Sequence, residues 1–209
     1  GKLMKFNSAA SIAGIGWTDY NRNSGRPVEA LALEACRNAI SDAGLSPADV
    51  DGLVSFGLGD TSTTSVVATG LGLRQVTHYA DYTAGGNMAC GVVLHAAMAV
   101  ATGQADNVLA YRALNGASGV RYGGARFSDL LAESSIHSDS EPQFLDTCGI
   151  TMPAQHFALL CRRHMIKYGT TDEDLGAVAI TARAHAVDNE RAMMRRPMSM
   201  QDYRASPWI

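Results

Sequence analysis

The sequence lacks long hydrophobic runs, a strong excess of charge of either sign, and any paired cysteine motif. No apolar run approaches the roughly 18 residues that a membrane-spanning helix needs. The 17 Lys and Arg against 20 Asp and Glu leave a net charge of −3 in 209 residues, which gives no electrostatic footprint for nucleic acid or for an anionic membrane. The cysteines form neither a C-x-x-C pair nor a metal-ligand spacing, so we predict reduced thiols in an intracellular protein and no metal site. They are Cys36, Cys90, Cys148 and Cys161.

The usual phosphate-binding and hydrolase motifs are also missing. Neither a Walker-type phosphate loop nor a G-x-S-x-G nucleophile elbow occurs. Gly14-Ile15-Gly16 resembles the start of a dinucleotide fingerprint, but Asp19 stands where the third glycine belongs and no helix begins at once. We therefore interpret these glycines as part of a strand end. Lys2 and Lys5 precede a short, Gly-broken apolar stretch without a clear cleavage site, which predicts a first strand in a cytoplasmic protein instead of a secretion signal.

What the sequence does contain is a regular alternation of short strand and helix patterns. With 46% hydrophobic and 18% charged residues, its composition is that of a globular protein. Over the first 115 residues the alternation predicts an α/β fold whose sheet is at least partly parallel. The predicted strands are Ser11–Trp17, Val50–Leu58, Val76–Tyr82 and Asn107–Leu114, and the predicted helices are Pro27–Ala43, Thr64–Leu71 and Asn87–Thr102.

The helix predicted at Asn87–Thr102 has no charged residue and scarcely a polar face. A helix that is apolar all round is typical of burial on every side, which predicts a helix between two layers. His95, midway along it, is interpreted as a hydrogen-bonded core histidine in preference to a catalytic base. Cys90 lies near the N-terminus, where the helix dipole stabilises a thiolate. Its apolar neighbours favour a packing role instead, and from the residues alone both readings of Cys90 stay open.

Beyond residue 115 the pattern changes to a long irregular stretch rich in Gly, Ser and Asp, which is typical of functional coverings and binding segments. Two helices are predicted after it, Pro153–Tyr168 and Asp172–Asp188, the second with Thr171 as N-cap and Asp174 three residues on. The last stretch, Met198–Ile209, is expected to contain no helix. Its end at Pro207-Trp208-Ile209 is interpreted as an interruption of a longer protein.

Several of these segments together resemble a known family. The loop Thr83-Ala84-Gly85-Gly86 and the apolar helix after it, which ends at Gly103, resemble the N-terminal half of a thiolase-fold protein. More specific runs resemble the lipid-transfer-protein branch of that superfamily, which is related to the sterol-carrier thiolases and includes retro-aldolases of steroid side-chain degradation. These runs are His95–Gly103, Tyr111–Asn115, Ser118–Gly123, Pro153–Gln155 and Pro207–Ile209.

The resemblance implies a thiolase-like layered α/β fold. It implies an N-terminal half over 1–115 and a loop region with helices over 116–209 that covers the active site, with the C-terminal half absent. It also implies a homodimer core, formed through the strand before the central helix, with a DUF35-type partner of OB-fold and zinc-ribbon construction. Half of a two-lobed fold leaves an apolar layer unpaired, so we expect this chain to self-associate or to require a partner.

The resemblance also shows where this sequence departs from true thiolases, whose nucleophilic cysteine stands at the N-terminus of the central helix. Counting back from Gly103 puts that position at about Asn87, with Met88 as the alternative, and neither residue forms a thioester. Cys90 lies about three residues further in, roughly 300° around the helix. A retro-aldol cleavage needs no acyl-enzyme; it needs a base and donors that hold the thioester enolate. Asn87 is the candidate donor, and the resemblance implies that the main acid/base residues lie beyond Ile209.

The function predicted on this basis is retro-aldol cleavage of a steroid-type β-hydroxyacyl-CoA to a ketone and a short acyl-CoA. No cofactor is expected, because the coenzyme A thioester is the substrate. A thiolase or acyltransferase acting on 3-oxoacyl-CoA is the first alternative, and a non-catalytic lipid-binding, transfer or scaffold subunit is the second. The resemblance places the thioester and pantetheine beside the stretch ahead of Pro153, where small and apolar residues suit them. These residues are Gly149, Ile150, Thr151 and Met152.

Overall fold

The chain divides into two compact units, Gly1–Arg121 and Tyr122–Ile209, called here the N-terminal unit and the C-terminal unit. The N-terminal unit contains the sheet, and the described elements of the C-terminal unit are helices. Each unit is described by itself. The computed structural model describes residues 9–116, 118–119, 144–145, 147–150 and 153–207.

The core of the N-terminal unit is a three-stranded parallel sheet. Strand β1 (Gly52–Gly57) lies in the centre, between β2 (His78–Thr83) and β3 (Val108–Tyr111). All six residues of β1 are buried, as a central parallel strand requires. On one side Leu53 pairs with Tyr79, and on the other it pairs with Leu109. The α/β class and the parallel sheet predicted from the sequence are confirmed.

Helices cover both faces of this sheet because successive β1 side chains point to opposite faces. Leu53 packs in a core cluster with helix α1 (Val28–Asp42) and helix α2 (Thr64–Leu71). Val54 and Phe56 pack on the other face against Val92 of helix α3 (Ala89–Ala101). A 3₁₀ turn, Pro47–Asp49, precedes β1 and a second one, Gly86–Met88, precedes α3. The observed helices and these three strands agree with the predicted ones to within two or three residues at each end.

Ser11–Trp17, predicted as the first strand, is not a strand in the structure. A strand needs a neighbouring strand for its backbone hydrogen bonds, and no strand among the described residues pairs with this segment. It lies instead against α1, where the amide of Ile15 donates to the Asp42 carboxylate at 2.9 Å and the carbonyl of Trp17 accepts from Asn38 at 2.9 Å.

Helix α3 is not buried on every side, so that prediction is wrong for this chain. Val92 and Ala99 are buried. Val93, Leu94 and Met98, by contrast, are 45%, 55% and 48% exposed. The physical reason is that the sheet covers one side of the helix and no described element covers the other. A helix that is apolar on every face is suited to burial between two layers. Its sequence does not show whether both layers belong to this chain.

The described part of the C-terminal unit contains helices α4 (Pro153–Tyr168), α5 (Asp172–Val187) and α6 (Met200–Arg204). The predicted cap of α5 is confirmed, because Thr171 and Asp174 form a reciprocal capping box. The expectation that the last stretch contains no helix is wrong, since Ser199 and Asp202 form a second capping box that starts α6. Within the described residues, no helix is both long enough and apolar enough to cross a bilayer.

Candidate functional site

The candidate site lies where β2 ends and α3 begins. In an open parallel sheet, ligands bind outside the carboxyl ends of the strands. Thr83 is the last residue of β2, and the 3₁₀ turn Gly86–Met88 joins this strand end to α3. The N-cap of α3 is Met88, and no side chain among the described residues caps it. The 3₁₀ turn itself uses the amides of Met88 and Ala89, which donate to the carbonyls of Gly85 and Gly86. The positive end of the α3 dipole favours a negatively charged oxygen at this position.

In the structure, Asn87 lies just before the first residue of α3 and Cys90 lies just after it. Asn87 lies in the 3₁₀ turn and is exposed. Cys90 is the second residue of α3 and is also exposed. The predicted packing role of Cys90 therefore differs from what the chain shows, because Cys90 lies on the side of α3 that the sheet does not cover. The buried thiol is Cys36 of α1, and burial raises its pKa to about 12.

An ion pair that the sequence analysis missed joins the carboxyl ends of β1 and β3. Arg112, directly after β3, donates to both carboxylate oxygens of Asp60 at 2.8 and 2.7 Å and to the carbonyl of Phe56 at 2.9 Å. The Asp60 side chain is fully buried. Burial alone would raise its pKa, but the hydrogen bonds from Arg112 and from the Leu58 amide hold the pKa of Asp60 below its usual range. No short motif in the sequence links these two residues, which are 52 positions apart.

His95 is the centre of a polar chain on the sheet side of α3. It is hydrogen-bonded to the Tyr82 hydroxyl and lies 3.2 Å, nitrogen to nitrogen, from His78. Burial and the neighbouring His78 lower the pKa of His95. The predicted reading of His95 as a hydrogen-bonded histidine agrees with these contacts. His78 had no predicted role, because the two histidines are 17 residues apart and form no sequence motif.

In the C-terminal unit, two of the four predicted pantetheine-site residues can be described. Gly149 is exposed and has a left-handed backbone with φ of 73°. Ile150 is half-buried, and its amide donates to the carbonyl of Leu145 at 3.0 Å. Thr151 and Met152 lie outside the described residues. The left-handed backbone of Gly149 therefore permits the turn in which Ile150 bonds to Leu145.

Comparison with known proteins gives clear relatives. No protein-family model matches the chain. A steroid side-chain-cleaving aldolase of Thermomonospora curvata is 46% identical over 205 residues, which cover 96% of this chain and 51% of that protein. The 17-hydroxy-3-oxo-4-pregnene-20-carboxyl-CoA lyase of Mycobacterium tuberculosis is 43% identical over 201 residues, with 96% and 51% covered. The chain thus spans about half the length of the curated relatives that it matches.

A solved structure agrees with these relatives. The structure described as an Ltp2-ChsH2(DUF35) aldolase matches 95% of this chain and 49% of its own, with a TM-score of 0.81 and 44% sequence identity. Similarity of this size in both sequence and backbone establishes the fold as thiolase-like. The resemblance predicted from the sequence is confirmed.

Proposed function

Over nearly its whole length this chain is a relative of the thiolase-like steroid side-chain-cleaving aldolases, and we propose that it forms part of an enzyme that cleaves a steroid-type β-hydroxyacyl-CoA. The products are a ketone and a short acyl-CoA. This chain supplies the thiolase-like N-terminal half over 1–115 and a covering loop region over 116–209. A segment equivalent to the other half of the relatives supplies the main acid and base. As the sequence predicts, we place the reaction in the cytoplasm.

The chemistry requires two kinds of group. A base removes the proton from the β-hydroxyl, the carbon–carbon bond breaks, and its electron pair moves into the thioester as an enolate. Protonation of the enolate carbon then gives the short acyl-CoA, while the former hydroxyl carbon becomes the ketone. Donors aimed at the enolate oxygen lower the barrier because they stabilise the charge that develops there. The positive end of the α3 dipole and the exposed side chain of Asn87 are suited to this role.

The observation that carries the proposal is that Asn87, an amide donor, is exposed in the turn that precedes α3. The family resemblance puts the cysteine of a thiolase at about this position. An amide cannot accept an acyl group, but it can donate a hydrogen bond to the thioester oxygen. The exposed Cys90 is the observation that favours the alternative, an acyltransferase with a displaced nucleophile. The two reactions differ in a covalent step, since only the acyltransferase transfers an acyl group to sulfur.

Two substitutions in the protein that contains both halves separate these reactions. Asn87→Ala removes one oxyanion donor, and we expect turnover to fall by about 10²–10³. Cys90→Ser should leave turnover within a few-fold of the parent, because the retro-aldol step forms no bond to sulfur. Steady-state rates and the intact mass of the protein after reaction with substrate are the measurements. The reverse order of effects, or an acyl adduct on Cys90, contradicts the aldolase proposal and supports the acyltransferase.

We further propose that Gly149, Ile150, Thr151 and Met152 line the pantetheine arm of the substrate. Gly149→Trp should weaken acyl-CoA binding at least tenfold, because the indole would occupy the space of the ligand. The matched control is Gly169→Trp. Both glycines have a left-handed backbone, with φ of 73° and 72°, and an open Cβ position, so both substitutions carry the same conformational strain. Equal acyl-CoA affinity of the two variants in a binding titration would exclude this placement.

For the assembly, we propose a homodimer core that binds a DUF35-type protein. The support is the description of the solved relative, which names such a protein. In addition, β2 is an edge strand of the described sheet. It is the strand before the central helix, through which the resemblance implies that the dimer forms. Light scattering of the protein with and without a DUF35-type partner tests both interactions. A non-catalytic lipid carrier would bind the acyl-CoA in the same assembly without cleaving it.

A further inference from the structure

Two histidines meet between the edge strand and the central helix, away from the start of α3. His78 is the first residue of β2, and His95 lies in the middle of α3. Their Nε2 atoms are 3.2 Å apart, and both side chains are half-buried. The ring centres are 5.0 Å apart and the ring planes are inclined by 64°. The ring centres are too close together for the two rings to lie end to end on one line. The directions in which the two Nε2 atoms point therefore meet at an angle.

The hydrogen bonds around the pair favour one tautomer of His78. The side-chain amide of Gln104 donates to the Thr102 hydroxyl at 3.1 Å, and that hydroxyl donates to the carbonyl of Met98 at 2.8 Å. The Gln104 oxygen therefore faces Nδ1 of His78, 3.2 Å away, and accepts a hydrogen bond from it. A neutral imidazole carries one proton. With that proton on Nδ1, Nε2 of His78 presents a lone pair towards His95.

A lone pair facing another nitrogen at 3.2 Å is satisfied either by a hydrogen bond from that nitrogen or by a metal ion between the two. One solution is a proton on Nε2 of His95, with Nδ1 of His95 accepting from the Tyr82 hydroxyl. The other solution places the proton of His95 on Nδ1, where it donates to the Tyr82 oxygen, and leaves two Nε2 lone pairs that converge. A tyrosine hydroxyl can donate or accept. A metal ion can therefore take the place between the two Nε2 atoms when the proton of His95 moves from Nε2 to Nδ1.

From this geometry we infer that His78 and His95 form a binding site for a divalent transition-metal ion such as Zn²⁺. A zinc ion lies about 2.0–2.1 Å from each imidazole nitrogen, and a roughly tetrahedral angle then separates the two nitrogens by about 3.3 Å. The observed separation is 3.2 Å. In metal sites, the other ring nitrogen of a ligating histidine is held by a second hydrogen bond. Gln104 and Tyr82 supply such partners to the two rings.

The site would join β2, an edge strand of the described sheet, to α3. Among the described residues, no group of three or more His, Cys, Asp and Glu side chains could hold a metal ion. Water or a ligand from a bound molecule therefore completes the coordination. Imidazole ligands suit Zn²⁺, Cu²⁺ and Ni²⁺, whereas Mg²⁺ and Ca²⁺ prefer oxygen. The inference does not depend on the proposed aldolase activity, because neither histidine belongs to the proposed oxyanion site.

The test is calorimetric titration of the full-length protein with Zn²⁺ after its thiols have been alkylated, which excludes binding by exposed cysteines. We expect one zinc ion per chain bound through this pair. His78→Gln and His95→Gln should each weaken that binding at least tenfold. Gln104→Leu should weaken it by about 10–100-fold, the usual effect of losing a partner of a ligating histidine. The matched control is His156→Gln, which changes an exposed histidine of α4 and should leave the affinity unchanged.

A Cu²⁺-loaded sample gives an independent readout, because its electron paramagnetic resonance spectrum should show coupling to two imidazole nitrogens. Circular dichroism establishes that each variant is folded. If His95→Gln does not fold, His78→Gln decides the question, since His78 lies at the end of an edge strand. The inference is overturned if zinc does not bind, or if His78→Gln binds it as tightly as the parent protein does.

Discussion

At the scale of single residues, the contact that organises the carboxyl edge of the sheet is the pair of Arg112 and Asp60. Its two parallel hydrogen bonds join a buried carboxylate to a guanidinium that also holds the carbonyl of Phe56 and lies 5.0 Å above the ring of that residue. Arg112 thus connects the end of β3 to the end of β1. A buried carboxylate that loses its partner leaves an uncompensated charge, which is strongly destabilising.

Arg112→Leu should therefore lower the free energy of unfolding at pH 7 by about 3–5 kcal/mol. The control is Arg26→Leu, which breaks an exposed ion pair with Glu34 and should cost no more than about 1 kcal/mol. Urea unfolding of both variants measures the difference. Equal effects would contradict the role given to Arg112.

The same pair predicts a dependence of stability on pH. Because the folded-state pKa of Asp60 is lowered, the contribution of its carboxylate is fully present above the unfolded pKa of about 3.9. It is lost as the pH falls through the folded-state value. Asp60→Asn removes this contribution, so the difference in unfolding free energy between the parent and Asp60→Asn should shrink as the pH falls below about 4.

Single residues also show how far sequence reasoning reaches. Counting back from Gly103 under the family resemblance predicted that Asn87 lies near the start of the central helix, and the structure puts it in the turn before α3. The exposure of Cys90 did not follow, because it depends on which layer covers α3. The meeting of His78 with His95 depends on the register between a strand and a helix, which no local pattern in either segment specifies.

At the scale of elements, the segment Ser11–Trp17 shows why two glycines occur there. A Cβ on Gly16 would lie 2.2 Å from the Ala35 carbonyl oxygen and 2.3 Å from the Ala39 nitrogen, and a Cβ on Gly14 would lie 2.5 Å from the Ala39 oxygen. The backbone of the segment therefore rests directly on the backbone of α1. The glycines serve close packing, which agrees with the prediction that they are no nucleotide-binding motif.

Gly16→Ala should destabilise the protein by about 1–3 kcal/mol, because the added methyl group would overlap backbone atoms that cannot move independently. The comparison variant is Gly86→Ala, since nothing lies within 4 Å of a Cβ at that position. Its effect should be neutral or slightly stabilising, as expected when a glycine is replaced at an unstrained site. Thermal unfolding of both proteins is the measurement, and a Gly16→Ala protein as stable as the parent would refute the close packing.

Elements with a local cause were predictable from the sequence. Helix α2 begins and ends at the predicted residues, and α5 begins at its predicted cap. Helix α6 was missed because its five residues carry no periodic pattern, although Ser199 and Asp202 have the spacing of a capping box. Ser11–Trp17 was predicted as a strand because its composition suits one. Its actual conformation depends on pairing with another strand, which is a property of the whole sheet.

At the scale of the whole molecule, the chain spans about half the length of its curated relatives. Large apolar side chains are exposed in the N-terminal unit on α3 and on the segment that carries Ile12 and Ile15. Exposed apolar patches beyond a few hundred Å² mark association surfaces. That this chain associates with itself or with a partner stays a prediction, and the division of function between the two halves is part of the proposal.

The most direct test of the account is a product analysis with the protein that contains both halves. The substrate is 17-hydroxy-3-oxo-4-pregnene-20-carboxyl-CoA, the compound in the name of the Mycobacterium tuberculosis relative. Without added coenzyme A, we expect equal amounts of a steroid ketone and a short acyl-CoA, with no acyl adduct on the protein. Absence of cleavage, or cleavage that requires free coenzyme A and leaves a thioester on Cys90, would contradict the assignment as a retro-aldolase.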